Sequence, residues 1–363
     1  MFAIALENSF DFLSDEYQRL FDGAHASAFQ HPLWLDAFYR NLVPAGDAEP
    51  LVVVARRRSD RRLAMVLPLL RRRRHGLRVV EFADLGVTDY ASAVCDDAAF
   101  ELLAQDPRMH DRMRTLFKPF DLLRIKKVPD GGQRLERLFG GARRASMGVS
   151  THATALFEPY ADWFADKIPR SFAKELAKNR RQMNRLGTLK LERLHEPSAI
   201  ESLLRDLQAF RGARYPGDML GQASYFDFYR KVALAGATTG FARAYQLSLD
   251  DRPLGGVWGL SHRCRFLILI SAFDYAAHPQ RSIGFLTYED VARDCIAEQD
   301  AILDFTIGDE SYKKSFGAKA SPLSMVSAYG TGLGVAADWI ATHKGRLQPS
   351  PRTTSAPPAP PRP

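Results

Sequence analysis

Between residues 265 and 307 the chain reads as strand, helix, strand. RFLILISAF (265–273) is almost continuously apolar, as a strand covered on both faces must be. In SIGFLTYEDVARDCIAEQ (282–299), Phe285, Tyr288, Ala292, Cys295 and Ile296 recur at helical spacing. ILDFTI (302–307) then alternates, with Leu303, Phe305 and Ile307 on one face and Asp304 and Thr306 on the other. The preceding residues extend the series. TLKLERL (188–194) reads as a strand, and PSAIESLLRDLQAFRGARY (197–215) and SYFDFYRKVALAG (224–236) as helices, the second ending at Gly236. FARAYQLSL and LGGVWGLSH are strands joined by the turn DDRP. The predicted order is β-α-α-β-β-β-α-β, a mixed α/β fold.

The first half repeats that order loosely. FQHPLWLDAFYRNL (29–42) is a helix with an aromatic stripe, and LVVVARRRSDRRLAMVLPLL (51–70) is strand, charged turn, strand. RVVEFADLG and FDLLRIKKV (120–128) supply further strands. At 363 residues the chain is long for one core. Internal duplication is the economical reading: one half over 1–150, a second over 151–335. LQPSPRTTSAPPAPPRP has no apolar periodicity, so residues 346–363 are expected to be a disordered, proline-rich tail.

Composition narrows the class. With 46% hydrophobic and 25% charged residues, and no apolar run near the ~20 needed to span a bilayer, the chain reads as a globular protein. MFAIALENSF lacks the basic start of a signal peptide, so a cytoplasmic location is expected. Three cysteines without a CxxC pair and nine histidines without HxxxH spacing predict no metal. The net charge of +8 concentrates in RRRSDRR (56–62), RRRRH (71–75) and KELAKNRRQMNR (174–185). These runs would meet an anionic membrane surface or phosphorylated ligand, or lie as solvated turns and helix faces. No aromatics interleave with the first two, which argues against nucleic acid. GTGLGV (330–335) lacks the last glycine of a dinucleotide fingerprint, and no GxSxG elbow or GKS/GKT loop exists.

Candidate chemistry gathers where strands end. Gly308 breaks the ILDFTI strand and is followed by Asp309, Glu310, Tyr312 and Lys313. Asp274 closes the RFLILISAF strand. A bland reading is available for each: a turn-capping carboxylate at Asp274, a helix-start carboxylate at Glu310, a core phenol at Tyr312, a solvated ammonium at Lys313.

The element order, together with FDYAAHPQRSIGFL and DFTIGDESYKKSFG, is similar to the Gcn5-related N-acetyltransferase (GNAT) fold. The doubled form resembles the BioF2-like or CelD-like (cellulose biosynthesis) acyltransferases, relatives of the FemABX transferases, over roughly residues 25–330. The resemblance implies tandem GNAT-like domains, each a mostly antiparallel mixed sheet flanked by helices. It implies acetyl-CoA or another acyl-CoA as donor in the second half, with the first half as a wall for the acceptor. The pyrophosphate turn would be Gln280, Arg281, Ser282, Ile283, Gly284 and Phe285, with Leu286 in place of the expected small residue. A helix N-terminus there would also favour an anion physically. Tyr312 looks like the tyrosine that protonates the departing thiolate, and Lys313 like a lysine steadying negative charge. Asp274 is the candidate base, Glu310 its alternative. Asp89, Tyr90, Arg211 and Arg214 are candidate acceptor contacts, and Arg180, Arg181 and Arg185 lie on a basic helix. The expected reaction is acyl transfer to an amine or hydroxyl of a small molecule or glycan precursor of the cell envelope. The alternatives are a FemABX-like aminoacyl-tRNA-dependent transferase, disfavoured here for want of an inserted helical arm, and a non-catalytic component of a polysaccharide-synthesis system.

Overall fold

The computed structural model describes residues 2–279 and 281–345; Gln280 and the predicted tail 346–363 lie outside the described residues. The chain divides into two compact units, one running to Val149 and resuming at Pro322, the other Ser150–Ser321. The division expected at residue 335 therefore falls earlier, because the strand ending at Tyr329 pairs in the first unit.

The first unit is built from β1 (Phe2–Leu6), α1 (Asp15–Gly23), α2 (Pro32–Ala37), α3 (Val43–Ala45), β2 (Ala48–Arg57), β3 (Leu63–Arg74) and β4 (Leu77–Phe82). β5 (Val94–Cys95), α4 (Asp97–Gln105), α5 (Pro107–Phe117) and β6 (Leu122–Pro129) follow. The expected helix 29–42 is a succession of 3-10, α and π segments, still buried through Phe29, Trp34 and Phe38. The sheet runs β1-β2-β3-β4-β6, with β5 beside β3. Its last neighbour is the C-terminal part of β13 (Lys319–Tyr329), antiparallel to β6. The arginine runs are not free loops. Arg56 is clamped by Glu7 and Glu16, Arg71 pairs with Glu49, and Arg72 and Arg74 share Glu81 across the β3/β4 ladder.

The second unit has β7 (Arg143–Ala155, from Ser150), α6 (Tyr160–Lys167), α7 (Arg170–Asn184), β8 (Leu189–Leu194), α8 (Pro197–Arg214) and α9 (Ala223–Thr239). After these come β9 (Ala242–Leu249), β10 (Arg252–Ser261), β11 (Arg265–Phe273), α10 (Ile283–Ala297), β12 (Ile302–Ile307) and α11 (Ser311–Ser315). α12 (Gly332–Gly345) belongs to the first unit. The expected β-α-α-β-β-β-α-β order is present as β8 to β12. Helix α9 runs past Gly236, which packs against Ala242, and stops at Gly240, whose φ of 75° only glycine takes cheaply. The sheet order is β7-β12-β11-β10-β9-β8, all antiparallel except β11/β12. One face carries α6, α7 and α10 over a core holding Trp163, Leu176, Tyr245, Phe266, Tyr288 and Phe316. The fold expectation of a mixed α/β protein with helix-flanked, mostly antiparallel sheets is met.

Candidate functional site

Parallel strands β11 and β12 stay in register for only three residues, Arg265↔Ile302 to Leu267↔Asp304. Both bulge where they part. Leu269 is the extra residue of β11 against β10, since Gly259 faces Ile268 and Trp258 faces Ile270. In β12, Phe305 and Thr306 together oppose the single residue His152 between two paired positions of β7, and Thr306 takes φ 56°. A threonine in that region is strained by about 1–3 kcal/mol, a strain that cores keep only when the surroundings impose it. Bulges bend strands and redirect side chains. Past Leu267, β11 has only β10 as a ladder partner among the described residues, and the Ile268 carbonyl on its other edge accepts from Thr306 Oγ1 at 3.3 Å.

Helix α10 spans this opening. Its Tyr288 is completely buried, and its hydroxyl lies 2.7 Å from Ser271 Oγ on the parted section of β11. On the other side Tyr288 stacks on Tyr312 of α11, centroids 5.5 Å apart and planes within 15°. Phe285 stacks on the opposite face of Tyr312 at 5.6 Å. Ser271, Tyr288 and Tyr312 thus run from one parted strand to the segment following the other, the first two joined by a hydrogen bond and the last two by ring stacking. Burial raises the Tyr288 pKa, so this phenol keeps its proton at neutral pH and remains a donor.

The GDESYKK turn is organised by Lys313. Its ammonium is 1% exposed, 2.9 Å from Glu310 and within 3.0 Å of the carbonyl oxygens of Ile307 and Gly308, with Thr306 O at 3.4 Å. These acceptors saturate the three donors of an ammonium. The expectation that Lys313 meets substrate charge is corrected: its donors are spent holding the turn. Glu310 folds back over Gly308, where φ is 121° and a Cβ would stand 2.5 Å from Glu310 Oε2, so glycine is required. Tyr312 is 8% exposed, at the surface of the core rather than in solvent.

The turn leading into α10, from Arg281, has its own internal logic. Ser282 caps α10 in the left-handed region, φ 47°, without a side-chain capping bond, and Arg281 is partly exposed. Gly284 is buried, and a Cβ there would lie 2.8 Å from the Tyr275 hydroxyl and 3.1 Å from Phe273. Its smallness thus admits Tyr275. Leu286 is fully buried in the core, so its bulk does not narrow the turn.

The remaining candidates separate. Asp274 accepts from Ala277 N at 3.0 Å, the turn-capping role, and Arg252 stands 3.9 Å away; its side chain is 21% exposed. Arg211 is bound to Asp218 at 2.6 Å, whereas Arg214 lies over the rings of Tyr215 and Tyr275. Together with Ser271 they line a cavity of about 20 Å³, enough for one water. Arg180 is no solvated helix face: it reaches from α7 to Glu289 and Asp290 of α10. In the first unit, Asp89 pairs with Lys127 at 3.6 Å, and the Tyr90 ring is buried against Phe29. Sequence reasoning missed His152, 2% exposed, whose Nε2 lies 2.9 Å from Asp309 Oδ1 while its buried Nδ1 has no protein partner. Only the β7/β12 ladder brings these two together, and no local motif announces it. Among the described residues no group of three His, Cys, Asp or Glu side chains is placed to hold a metal.

Residues 170–314 match the family model described as "Acetyltransferase (GNAT) domain". No curated protein matches the sequence. The fold is similar to solved structures over nearly the whole chain. FemX is 11% identical with a TM-score of 0.63, covering 94% of this chain and 99% of its own. The C-terminal domain of a putative lysylphosphatidylglycerol synthetase from Agrobacterium fabrum is 12% identical with a TM-score of 0.59, covering 93% and 96%. L-PGS from Bacillus licheniformis is 12% identical at 0.52, covering 90% and 95%.

Proposed function

We propose that the protein is an acyl-coenzyme A-dependent acyltransferase, its donor lying in the opening between β11 and β12. The observation that carries this reading is the row Ser271, Tyr288 and Tyr312 across the parted strands, held by the Ser271–Tyr288 hydrogen bond and the Tyr288–Tyr312 stack. Past Leu267, the edge of β11 away from β10 offers backbone groups to the amides of a pantetheine arm, as an added strand would be held. Arg281 and the start of α10 would take the pyrophosphate. The acceptor amine or hydroxyl attacks the thioester carbonyl, and the tetrahedral intermediate collapses by breaking the C–S bond. Tyr312 gives its proton to the departing sulfur and regains one from solvent. Asp274, at the end of β11 and partly exposed, takes the acceptor's proton. Glu310 is less suited, because it is engaged in the ion pair with Lys313. An amine or hydroxyl on a glycan precursor of the cell envelope, as in the BioF2-like and CelD-like families that the sequence resembles, is the acceptor class we infer.

Calorimetric titration with acetyl-CoA and longer acyl-CoAs tests the donor. Micromolar binding lost in Arg281→Glu supports the reading, and heatless titrations without thermal stabilisation overturn it. Tyr312→Phe should then lower turnover by about 10²-fold or more with little change in donor affinity. A second reading, an aminoacyl-tRNA donor, draws support from the similarity to FemX over 94% of the chain. Charged tRNA would in that case bind with a steep salt dependence, and acyl-CoA would not.

A further inference from the structure

The first unit repeats the strand-parting device in a half that the sequence reading made a passive wall. Here β4 and β6 are the parallel pair, again in register over only three residues, Val79↔Leu122 to Glu81↔Arg124. Again the second strand bulges. Lys126 and Lys127 together oppose one residue of β13, and Lys127 takes φ 60°, as Thr306 does in the other unit. A non-glycine residue in this region is costly, and such strain collects at binding sites. One of the two bulge lysines explains itself. Lys127 reaches Asp84 at 3.1 Å and Thr88 O at 2.6 Å, tying β6 to the loop after β4.

Lys126 does not. Among the described residues it makes no ion pair or hydrogen bond, and it opens into a cavity of about 450 Å³ over β4. Arg72, Arg74 and Arg124 line the same cavity, and their partners there are two carboxylates, Glu81 and Asp338. Four cations therefore face three carboxylates, Glu81, Asp84 and Asp338, and Asp84 is shared with Lys127, which leaves an excess of positive charge. The residue as a whole is exposed, yet desolvation by the cavity walls, then Arg124, pulls the Lys126 pKa down. Like charges brought together without an anion are unfavourable, and a concave site focuses their field. The floor is apolar, with Val79, Leu122, Phe82 and Leu85. A volume in the range of small-molecule sites, apolar below and cationic at the rim, fits an anion attached to an organic body.

We propose that this face of the first unit binds a phosphate-bearing ligand, with Lys126 engaging the phosphate and Arg72, Arg74 and Arg124 supplying the surrounding positive charge. The site is distinct from the donor opening and stands whether or not the donor is a coenzyme. Phosphate could arrive on a soluble molecule or as a lipid headgroup.

The test is titration of the full chain with pyrophosphate, and separately with phosphatidylcholine vesicles with and without phosphatidylglycerol. Lys126→Glu is compared with Lys319→Glu, an exposed lysine elsewhere, and with Arg281→Glu. Because Lys126 has no structural partner among the described residues, its variant should keep the wild-type thermal midpoint. Saturable pyrophosphate binding, weakened about tenfold or more by Lys126→Glu alone, supports a soluble phosphate ligand. Binding only to the anionic vesicles, with the same selective loss, supports a headgroup. No binding to either, or equal losses in Lys126→Glu and Lys319→Glu, overturns the proposal. Loss confined to Arg281→Glu places the anion at the donor turn and also overturns it.

Discussion

Replacing Lys313 with methionine keeps the length of the side chain and removes its charge. The ammonium is 1% exposed, paired to a Glu310 carboxylate 8% exposed, and bonded to the last carbonyls of β12. Truncating one partner of a buried pair leaves the other charge uncompensated, at a cost of about 3–5 kcal/mol. For a domain of this size each kcal/mol moves the midpoint by roughly 2–4 °C, so the loss should be roughly 6–20 °C. Thermal unfolding followed by circular dichroism reads it directly. Adding Glu310→Leu removes the stranded carboxylate and should restore most of the loss, because an apolar pair of similar volume replaces an ion pair at little cost. A solvated lysine acting only on substrate would lose activity without losing stability. A single variant within about 1 kcal/mol of wild type, or a double variant no better than the single, would refute the assignment of Lys313 as a structural pin.

Gly284→Ala should destabilise by about 1–2 kcal/mol, since the new methyl meets the Tyr275 hydroxyl, and Tyr275→Phe in the same chain should relieve part of it in urea titrations. Hydrogen bonding from the Arg78 side chain holds the Asp121 carboxyl well below its ordinary range. Its contribution is thus present above the unfolded pKa of about 3.9 and is lost as pH falls from there toward the folded value. Asp121→Asn should flatten the fall of the urea midpoint below about pH 4. Burial raises the pKa of Cys95 and Cys295, whereas Cys264 is exposed. A thiol reagent should modify Cys264 first in the native protein and reach the other two only after unfolding.

The second half was legible because its signals are local: an apolar run at β11, helical spacing in α10, alternation in β12. β7 was not, since Thr151, His152 and Thr154 are polar residues buried by pairing with a strand some 150 positions away. The strand that carries His152 was therefore absent from the reading. GTGLGV carried no nucleotide meaning; Gly334 is a glycine because its Cα packs against the Asp121 carbonyl. Gly284 answers to Tyr275, a contact that no local pattern announces. Lys313 was misjudged for the same kind of reason, because nothing local announces that several carbonyls converge on one ammonium. The strand bulges at Leu269, Thr306 and Lys127 are invisible to periodicity, yet they define where both sheets open.

The central claim is that acyl-coenzyme A lies between the parted strands. Amide hydrogen exchange of the full chain, with and without saturating acetyl-CoA, tests it at residue level. The account predicts slowed exchange in β11 beyond Leu267 and at residues 281–286, diminished in Arg281→Glu. Unchanged exchange in both segments, or protection confined to the first unit, would contradict it.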